Sequence, residues 1–327
     1  MTVKEQIKAL FEDQKELSVK ELSDELMVSK QFVHRALKDL MEENFIYKLG
    51  SPPKTIYKLN SSTEPVSKYE STFTSDEKLF LQKHFLVITE IGAFLEGGAA
   101  FEYWCRKREL PLEKTYREFV LTKTKYQSYY NSAGLVDGYQ KLLNTEGFDK
   151  IWIDALYYLD FYAIERFGKT KLGSILHYAK QGQHKKLMKL LADEIKQRID
   201  DFIAENKYDA VAFIPPTIKR ETQIMKFLEQ HLRLKLPHIS ISKISNMIPV
   251  PQKSLSKLYE RINNADNSFV VKSNQEFKNI LLIDDAVGSG ATVNQISAKI
   301  KNKGIAEKIT AVAVVGSFKG FDVITDI

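Results

Sequence analysis

One run near the end of the chain constrains its fold most. Residues 279–292 read Asn-Ile-Leu-Leu-Ile-Asp-Asp-Ala-Val-Gly-Ser-Gly-Ala-Thr. Residues 280–283 have the apolar, β-branched character of a strand buried on both faces, and residues 293–303 have helical spacing that ends at Gly304. The run therefore predicts a strand, a loop of small residues and a helix. Such a loop lies at the carboxyl end of a parallel strand, where open α/β sheets bind ligands.

The small residues of this loop are suited to a phosphate. Gly288, Ser289, Gly290 and Ala291 carry little or no side chain, so several backbone N–H groups can converge on an anion at a helix N-terminus. Thr292 adds a hydroxyl donor. The loop is therefore a candidate phosphate-binding site.

The two carboxylates before the loop suit another part of the same ligand. Asp284 and Asp285 only accept hydrogen bonds when ionised, which favours ribose hydroxyls and any Mg²⁺ that accompanies a polyphosphate. A P-loop would need Gly-Lys-Ser/Thr, and a Rossmann fingerprint would place its acid about 20 residues after the glycines. The run therefore indicates a phosphorylated sugar. The alternative is an acidic strand end followed by an ordinary helix N-cap.

Residues Ile280 to Thr292 resemble the signature of the type I phosphoribosyltransferases: an apolar strand, two acids and a small loop ending in Gly-x-Thr. The resemblance implies an α/β fold with a doubly wound, mainly parallel sheet over residues 149–327. It also implies that Asp284 and Asp285 are catalytic and hold the ribose hydroxyls of phosphoribosyl pyrophosphate (PRPP). Both would bind Mg²⁺, largely through PRPP and water. The PRPP-binding residues that it implies after them are Ala286, Val287, Gly288, Ser289, Gly290, Ala291 and Thr292.

A second buried strand precedes a basic pair. Residues 209–214 have strand character, end at two prolines, and are followed by Lys219 and Arg220. In the type I phosphoribosyltransferases the loop after the first core strand receives the pyrophosphate, so the resemblance gives this role to the basic pair. Arginine offers a fixed fork of donors and lysine a point charge. The alternative is a solvated first turn of a helix.

The long loop before the acid strand resembles the ComF branch of that family, named after a competence protein. The matching residues are Gln252, Leu255, Arg261, Asn264 and Phe269. One extra residue separates Leu255 from Arg261 compared with the ComF pattern. In such enzymes the loop closes over the substrate. Arg261 is therefore a catalytic candidate, and Lys253, Lys257 and Arg261 are candidates for neutralising the leaving pyrophosphate. The alternative for each is a charged helix face.

The N-terminal segment has a different character. Two short helices, the second with a capping box formed by Ser18 and Glu21, precede a third that begins at Ser29. Residues 45–59 then read as strand, Gly/Pro turn and strand. The apolar positions of the third helix are Phe32, Val33, Leu37, Leu40 and Met41. Three helices and a hairpin resemble a winged helix-turn-helix over residues 1–60.

Charge is distributed unevenly over this segment. Basic and acidic residues are equal in number, but the outer face of the third helix is basic and amide-bearing, and the hairpin carries lysines and no carboxylate. This pattern is typical of a helix in the major groove with a wing on the backbone. The predicted DNA-binding residues are Lys30, Gln31, His34, Arg35, Lys38, Lys48 and Lys54. Gln31 and Arg35 are the candidates for base edges. The alternative is a protein-interaction or dimerisation module.

The whole chain limits the protein class. It has 327 residues, a net charge of +6 and a single cysteine, Cys105, which excludes a disulfide framework and a cysteine-based zinc site. Because it has no signal-peptide pattern and no apolar run of about 18 residues, we expect a soluble, cytoplasmic protein without membrane contact. Residues 61–75 read as a linker. Residues 76–148 are mainly helical and rich in aromatics, which predicts a core or a dimer face. We expect a homodimer.

Two functions are compatible with these patterns. The fusion of a winged helix to a phosphoribosyltransferase fold resembles the purine-operon repressors, which implies a transcriptional regulator that binds DNA and senses PRPP. The alternative is an active phosphoribosyltransferase, a glycosyltransferase that moves phosphoribose onto a nucleobase, a small molecule or a nucleic acid. The paired carboxylates and the basic loop favour this alternative. The sequence predicts binding of PRPP and leaves turnover open, because such catalysis is mostly Mg²⁺ and positioning.

Overall fold

The structure is a computed structural model that describes residues 2–14, 16–43, 45–51, 54–59, 73–216, 218, 220–244 and 254–317. The chain divides into two compact units, Met1–Thr72 and Phe73–Ile327. Most of the predicted linker at residues 61–75 lies outside the described residues. The aromatic segment at residues 76–148 belongs to the same unit as the C-terminal sheet.

The first unit contains three helices and a small antiparallel sheet. Its elements are α1 (Val3–Asp13), β1 (Glu16–Ser18), α2 (Val19–Glu25), α3 (Lys30–Glu42), β2 (Ile46–Ser51) and β3 (Lys54–Leu59). The strand order is β1-β3-β2. The predicted capping box is confirmed, since the Ser18 N–H donates to Glu21 Oε2 at 2.6 Å and the Glu21 N–H donates to Ser18 Oγ at 3.2 Å. These bonds satisfy donors that the first turn of α2 leaves unpaired.

The core of the first unit lies between the helices and the hairpin β2–β3. It contains Phe11 of α1, Leu22 of α2, and Val33 and Leu37 of α3. Phe32, another apolar position of α3, lies outside this core, because 58% of it is exposed. On a helix only positions three and four apart share a face, and Val33 and Leu37 occupy the inward one.

The second unit begins with the aromatic segment. Its elements up to the central sheet are α4 (Ser75–His84), β4 (Leu86–Ile88), β5 (Phe94–Glu96), α5 (Gly97–Lys107), α6 (Leu112–Gln127), β6 (Val136–Asp137) and α7 (Tyr139–Leu143). The segment is thus not purely helical. Phe85, Phe101 and Phe119 lie in the core, and the rings of Phe85 and Phe119 meet edge to face at 5.2 Å. The core prediction for these aromatics is confirmed.

The remaining elements build the sheet and its cover. They are β7 (Ala155–Phe161), β8 (Ala163–Ile164), β9 (Gly168–Lys169), α8 (Lys171–Gln181), α9 (Lys185–Asn206), β10 (Ala210–Phe213), α10 (Ile224–Leu232), β11 (Ser240–Lys243), α11 (Leu258–Ser268), β12 (Phe269–Lys272), β13 (Phe277–Val287), α12 (Ala291–Asn302) and β14 (Ala306–Gly316). A 3-10 turn, Glu165–Phe167, separates β8 from β9.

The central sheet has the strand order β10-β13-β14-β7-β6. Neighbouring strands from β10 to β7 are parallel, and β6 is antiparallel to β7. Ile280 and Leu282 pack into a core with the aromatic segment, whereas Leu281 and Ile283 pack into a second core with α8, α9 and α10. Strands buried on both faces read as continuous apolar runs. The α/β prediction is therefore confirmed, with a mostly parallel sheet.

No helix in the described part of the chain is long and apolar enough to cross a membrane. Cys105 is buried in α5, and burial raises the pKa of its thiol to about 11. Cys105 therefore packs as a small hydrophobic residue.

Candidate functional site

The acid pair lies at the carboxyl edge of the parallel sheet. Asp284 and Asp285 belong to β13, which is longer than the predicted strand at residues 280–283 because its ladder with β14 continues to Val287, opposite Gly316. The two acids are therefore held in the sheet, and the loop begins only after Val287. Carboxyl edges of parallel strands are where open α/β sheets bind ligands.

The two carboxylates leave the strand on opposite sides. Side chains alternate along a strand, so Asp285 follows Leu281 and Ile283 onto the side covered by α8. There the Lys180 ammonium forms an ion pair with Asp285, with Nζ at 2.9 Å from Oδ1 and 2.7 Å from Oδ2. Asp284 lies on the opposite face of β13, the face of Ile280 and Leu282. Its Oδ1 accepts the backbone N–H of Asp285 at 2.8 Å.

Asp284 carries the most perturbed carboxyl group of this edge. Burial, together with the nearby negative charge of Asp285, raises the pKa of Asp284 from 3.8 to about 8. The Lys180 ammonium and the backbone N–H groups of Asp285 and Ala286 act in the opposite direction. The protonated form of Asp284 is therefore favoured more than that of an exposed aspartate, and a cation or a hydrogen-bonding ligand would favour its charged form.

The loop after β13 is short and leads straight into α12. Gly290 has φ +79 and is the N-cap of α12, a left-handed conformation that favours glycine. A Cβ on Gly290 would lie 2.6 Å from Leu142 Cδ1, so a larger residue is also excluded by packing. The Ala291 N–H donates to Ser289 Oγ at 3.4 Å. The helix begins at Ala291, earlier than the predicted residue 293.

The other predicted loop residues are divided between strand and helix. Ala286 and Val287 were predicted in the loop, but they are the last residues of β13, where Val287 is buried and Ala286 is paired with Val315. Gly288 is half-buried, and Thr292 lies half-buried in the first turn of α12. Residues 288–292 therefore form the loop and the first turn of α12.

A half-buried lysine from the aromatic segment contacts this loop. Lys141 of α7 donates to the carbonyl oxygens of Gly288 at 3.2 Å and Ser317 at 2.7 Å, and thus joins the loop after β13 to the end of β14. Burial lowers the pKa of Lys141 to about 8. Nearby, Asn294 of α12 accepts the Trp152 N–H at 2.7 Å. The aromatic segment therefore braces the loop through Lys141, and Trp152, which follows the segment, braces the start of α12.

The predicted pyrophosphate pair is only partly described. Lys219 lies outside the described residues. Arg220 donates to the Lys180 carbonyl oxygen and to Gln181 Oε1 at 3.0 Å. Since Lys180 also pairs with Asp285, these contacts bring Arg220 to the C-terminal end of α8 beside the acid pair. An arginine so placed extends the positive charge around Asp285.

The predicted lid is also partly described, because residues 245–253, which include Gln252 and Lys253, lie outside the described part. Arg261 is buried in α11, and its Nε donates to the Leu255 carbonyl oxygen at 2.7 Å. Lys257 is the N-cap of the same helix. Arg261 therefore holds the turn before α11.

The residues at this edge could hold Mg²⁺ only if a bound ligand supplied some of the coordinating oxygens. Among the described residues there is no group of three or more His, Cys, Asp or Glu that would hold a metal. Mg²⁺ is commonly bound by one or two carboxylates together with phosphate oxygens and water. Asp284 and Asp285 would supply the protein oxygens in such an arrangement.

The predicted DNA-binding side chains are exposed on the first unit. Lys30, Gln31, His34, Arg35 and Lys38 are exposed on α3, and Lys48 and Lys54 are exposed on the hairpin. Lys58 differs, because it pairs with Glu16 at 2.6 Å. The structure thus gives α3 a basic outer face next to its buried one.

Sequence reasoning missed Lys180 and Lys141 as site residues. Lys180 ends the apolar stripe of α8, a weak signal that becomes specific only when α8 packs beside β13. Lys141 is 147 residues away from Gly288 in the chain. Nothing in the local pattern around Lys141 indicates that contact, since it arises from tertiary packing.

Comparison with known proteins identifies the first unit. Residues 3–60 match the family described as HTH domain. This region is therefore a helix-turn-helix domain, and the match indicates a DNA-binding regulator. No curated protein matches the chain.

Proposed function

We propose that the protein is a DNA-binding regulator whose second unit binds Mg²⁺-PRPP at the edge formed by residues 284–292. The helix-turn-helix domain would bind a duplex through α3, with the hairpin on the phosphate backbone. The ligand would bias the protein between two states that differ in DNA affinity, which is what any allosteric effector must do.

The observation that carries this proposal is the buried carboxyl group of Asp284 directly before a glycine loop at a helix N-terminus. A ribose hydroxyl that donates to Asp284, or a Mg²⁺ beside it, would favour the ionised carboxylate. The N–H groups of residues 288–292 and the positive end of α12 would bind the 5′-phosphate. One ligand with hydroxyls and phosphates uses both features.

The positive charges on the Asp285 side support a second anionic group. Lys180 and Arg220 lie together at the C-terminal end of α8. In the proposed complex they would face the negatively charged pyrophosphate. Asp285 would keep Lys180 oriented when no ligand is bound.

A thermal-shift series tests the ligand assignment. Mg²⁺-PRPP at about 100 times Kd should raise the Tm of the full chain by about 5 °C. Asp284→Asn combined with Asp285→Asn should remove this shift, whereas Asp193→Asn, an exposed acid on α9, should retain it. An equal shift in the double variant would rule out the site.

The same samples separate sensing from turnover. We expect no pyrophosphate release when the protein is incubated with Mg²⁺-PRPP, nucleobases and duplex DNA. Released pyrophosphate with a matching mass gain on an acceptor would instead support the phosphoribosyltransferase alternative, which the intact acid pair also favours.

A further inference from the structure

Phe32 is an exposed aromatic residue on the basic face of the helix-turn-helix domain. It is 58% exposed, although it lies in α3, whose buried positions are Val33, Ala36, Leu37 and Leu40. Large apolar side chains exposed on a soluble domain are informative, since their burial normally contributes to folding. No aromatic ring in the described part of the chain packs against Phe32.

The position of Phe32 on α3 sets what it can contact. Ser29 is the N-cap, so Phe32 lies in the first turn of the helix. It precedes Arg35 by three residues, and residues three apart are neighbours on a helix surface. It follows Gln31, the other candidate for base edges. In helix-turn-helix domains the N-terminal residues of the second helix of the motif reach the base edges.

We infer that Phe32 contacts the C5 methyl group of a thymine in the major groove and thereby contributes to sequence recognition. Thymine alone among the four bases presents a methyl group there, and phenylalanine is one of the side chains that contact it. Gln31 and Arg35 would read hydrogen-bonding edges beside it. This inference rests on the DNA binding proposed above and does not depend on the PRPP site.

The chemistry of the surrounding residues favours DNA over a protein partner at this position. Lys30, His34 and Lys38 are exposed on the same helix. A phenyl ring next to the amide of Gln31 and the guanidinium of Arg35 suits a surface that carries both phosphates and methyl groups. A second copy of the chain would present the same positive charges to Phe32, which opposes self-association through this face.

Replacement of thymine by uracil provides an atomic test, because uracil lacks only the methyl group. The full chain is first used to select duplexes from a random pool at low salt. Each thymine of the selected site is then changed to uracil in turn, and Kd is measured at one fixed salt concentration. We expect a loss of about fourfold at one position in each half-site, equivalent to about 0.8 kcal/mol for one methyl-sized group.

Variants of Phe32 assign this effect to the ring. Phe32→Ala should bind the thymine and uracil duplexes equally, and Phe32→Leu should retain part of the difference. Leu79→Ala, which changes an exposed leucine in α4 of the other unit, should behave as the wild type. Because Phe32 is exposed, Phe32→Ala should also keep the wild-type circular dichroism spectrum.

Other results would overturn the inference. If Phe32→Ala weakens both duplexes equally, or if no uracil substitution changes Kd, the ring does not read a methyl group. If Phe32→Ala changes the oligomeric mass and leaves base preference unaltered, Phe32 is a protein contact. If no duplex is selected, the DNA binding itself fails, and this outcome is distinct from the other two.

Discussion

Asp284 and Asp285 are neighbours in one strand but have different environments. Asp285 forms an ion pair with Lys180, whereas Asp284 is buried on the opposite side of β13 and accepts a backbone N–H. The pKa of Asp284 is consequently raised to about 8. Buried carboxyl groups with a shifted pKa at a sheet edge are characteristic of functional sites. In such sites a bound ligand supplies the interactions with the charged carboxylate that the protein itself does not provide.

The raised pKa of Asp284 predicts how stability depends on pH. Between its ordinary value of 3.8 and about 8, the folded protein binds a proton that the unfolded chain has released. The free energy of unfolding therefore falls as pH rises through this window, as far as Asp284 contributes. Asp284→Asn removes this pH dependence. The stability of the variant relative to the wild type should therefore be higher at pH values above the window than within it.

Thermal unfolding at about pH 5.5 and about pH 8.5 checks this prediction. The Tm of Asp284→Asn relative to the wild type should be higher by about 2 °C or more at the alkaline pH than at the acidic pH, which corresponds to roughly 1 kcal/mol or more. Asp193→Asn serves as the control. A Tm difference that is the same at both pH values would contradict the assigned pKa.

At the scale of elements, the loop after β13 depends on a helix that precedes the sheet in the chain. Lys141 of α7 holds the Gly288 and Ser317 carbonyl oxygens, and Leu142 packs against Gly290. The orientation of the loop N–H groups follows from these contacts. The aromatic segment is thus part of the site's support.

Lys141→Met should loosen this loop with little effect elsewhere. Two hydrogen bonds from a half-buried ammonium are lost, so amides of residues 288–292 should exchange with deuterium about tenfold faster, equivalent to about 1.4 kcal/mol. Peptides from β10 should exchange as in the wild type. Lys141→Arg should have a smaller effect. Unchanged exchange at residues 288–292 in Lys141→Met would mean that Lys141 does not order the loop.

Local patterns predicted the elements better than their contacts. The capping box of Ser18 and Glu21 and the apolar run at residues 280–283 follow from neighbours in the chain, and both were predicted correctly. The ion pair of Lys180 with Asp285 joins residues 105 apart in sequence, and no periodicity encodes it. The exposure of Phe32 also follows from the fold, because its apolar character alone does not distinguish it from the buried Val33 beside it.

At the scale of the whole molecule, two compact units carry two kinds of site. The first unit has a helix-turn-helix domain with an exposed basic face, and the second has an acid pair and a glycine loop at a sheet edge. A regulator controlled by a ligand needs both sites. It also needs a coupling free energy between ligand binding at one site and DNA binding at the other. Such couplings are typically about 1–3 kcal/mol, or about 5- to 150-fold in affinity, and they are reciprocal.

The most direct test of this account is the affinity of the full chain for its selected duplex with and without saturating Mg²⁺-PRPP at one salt concentration. The account predicts that PRPP changes Kd at least about fivefold in the wild type and leaves it unchanged in Asp284→Asn combined with Asp285→Asn. Equal Kd values with and without PRPP in the wild type, under conditions where PRPP raises its Tm, would contradict the coupling and with it the central claim.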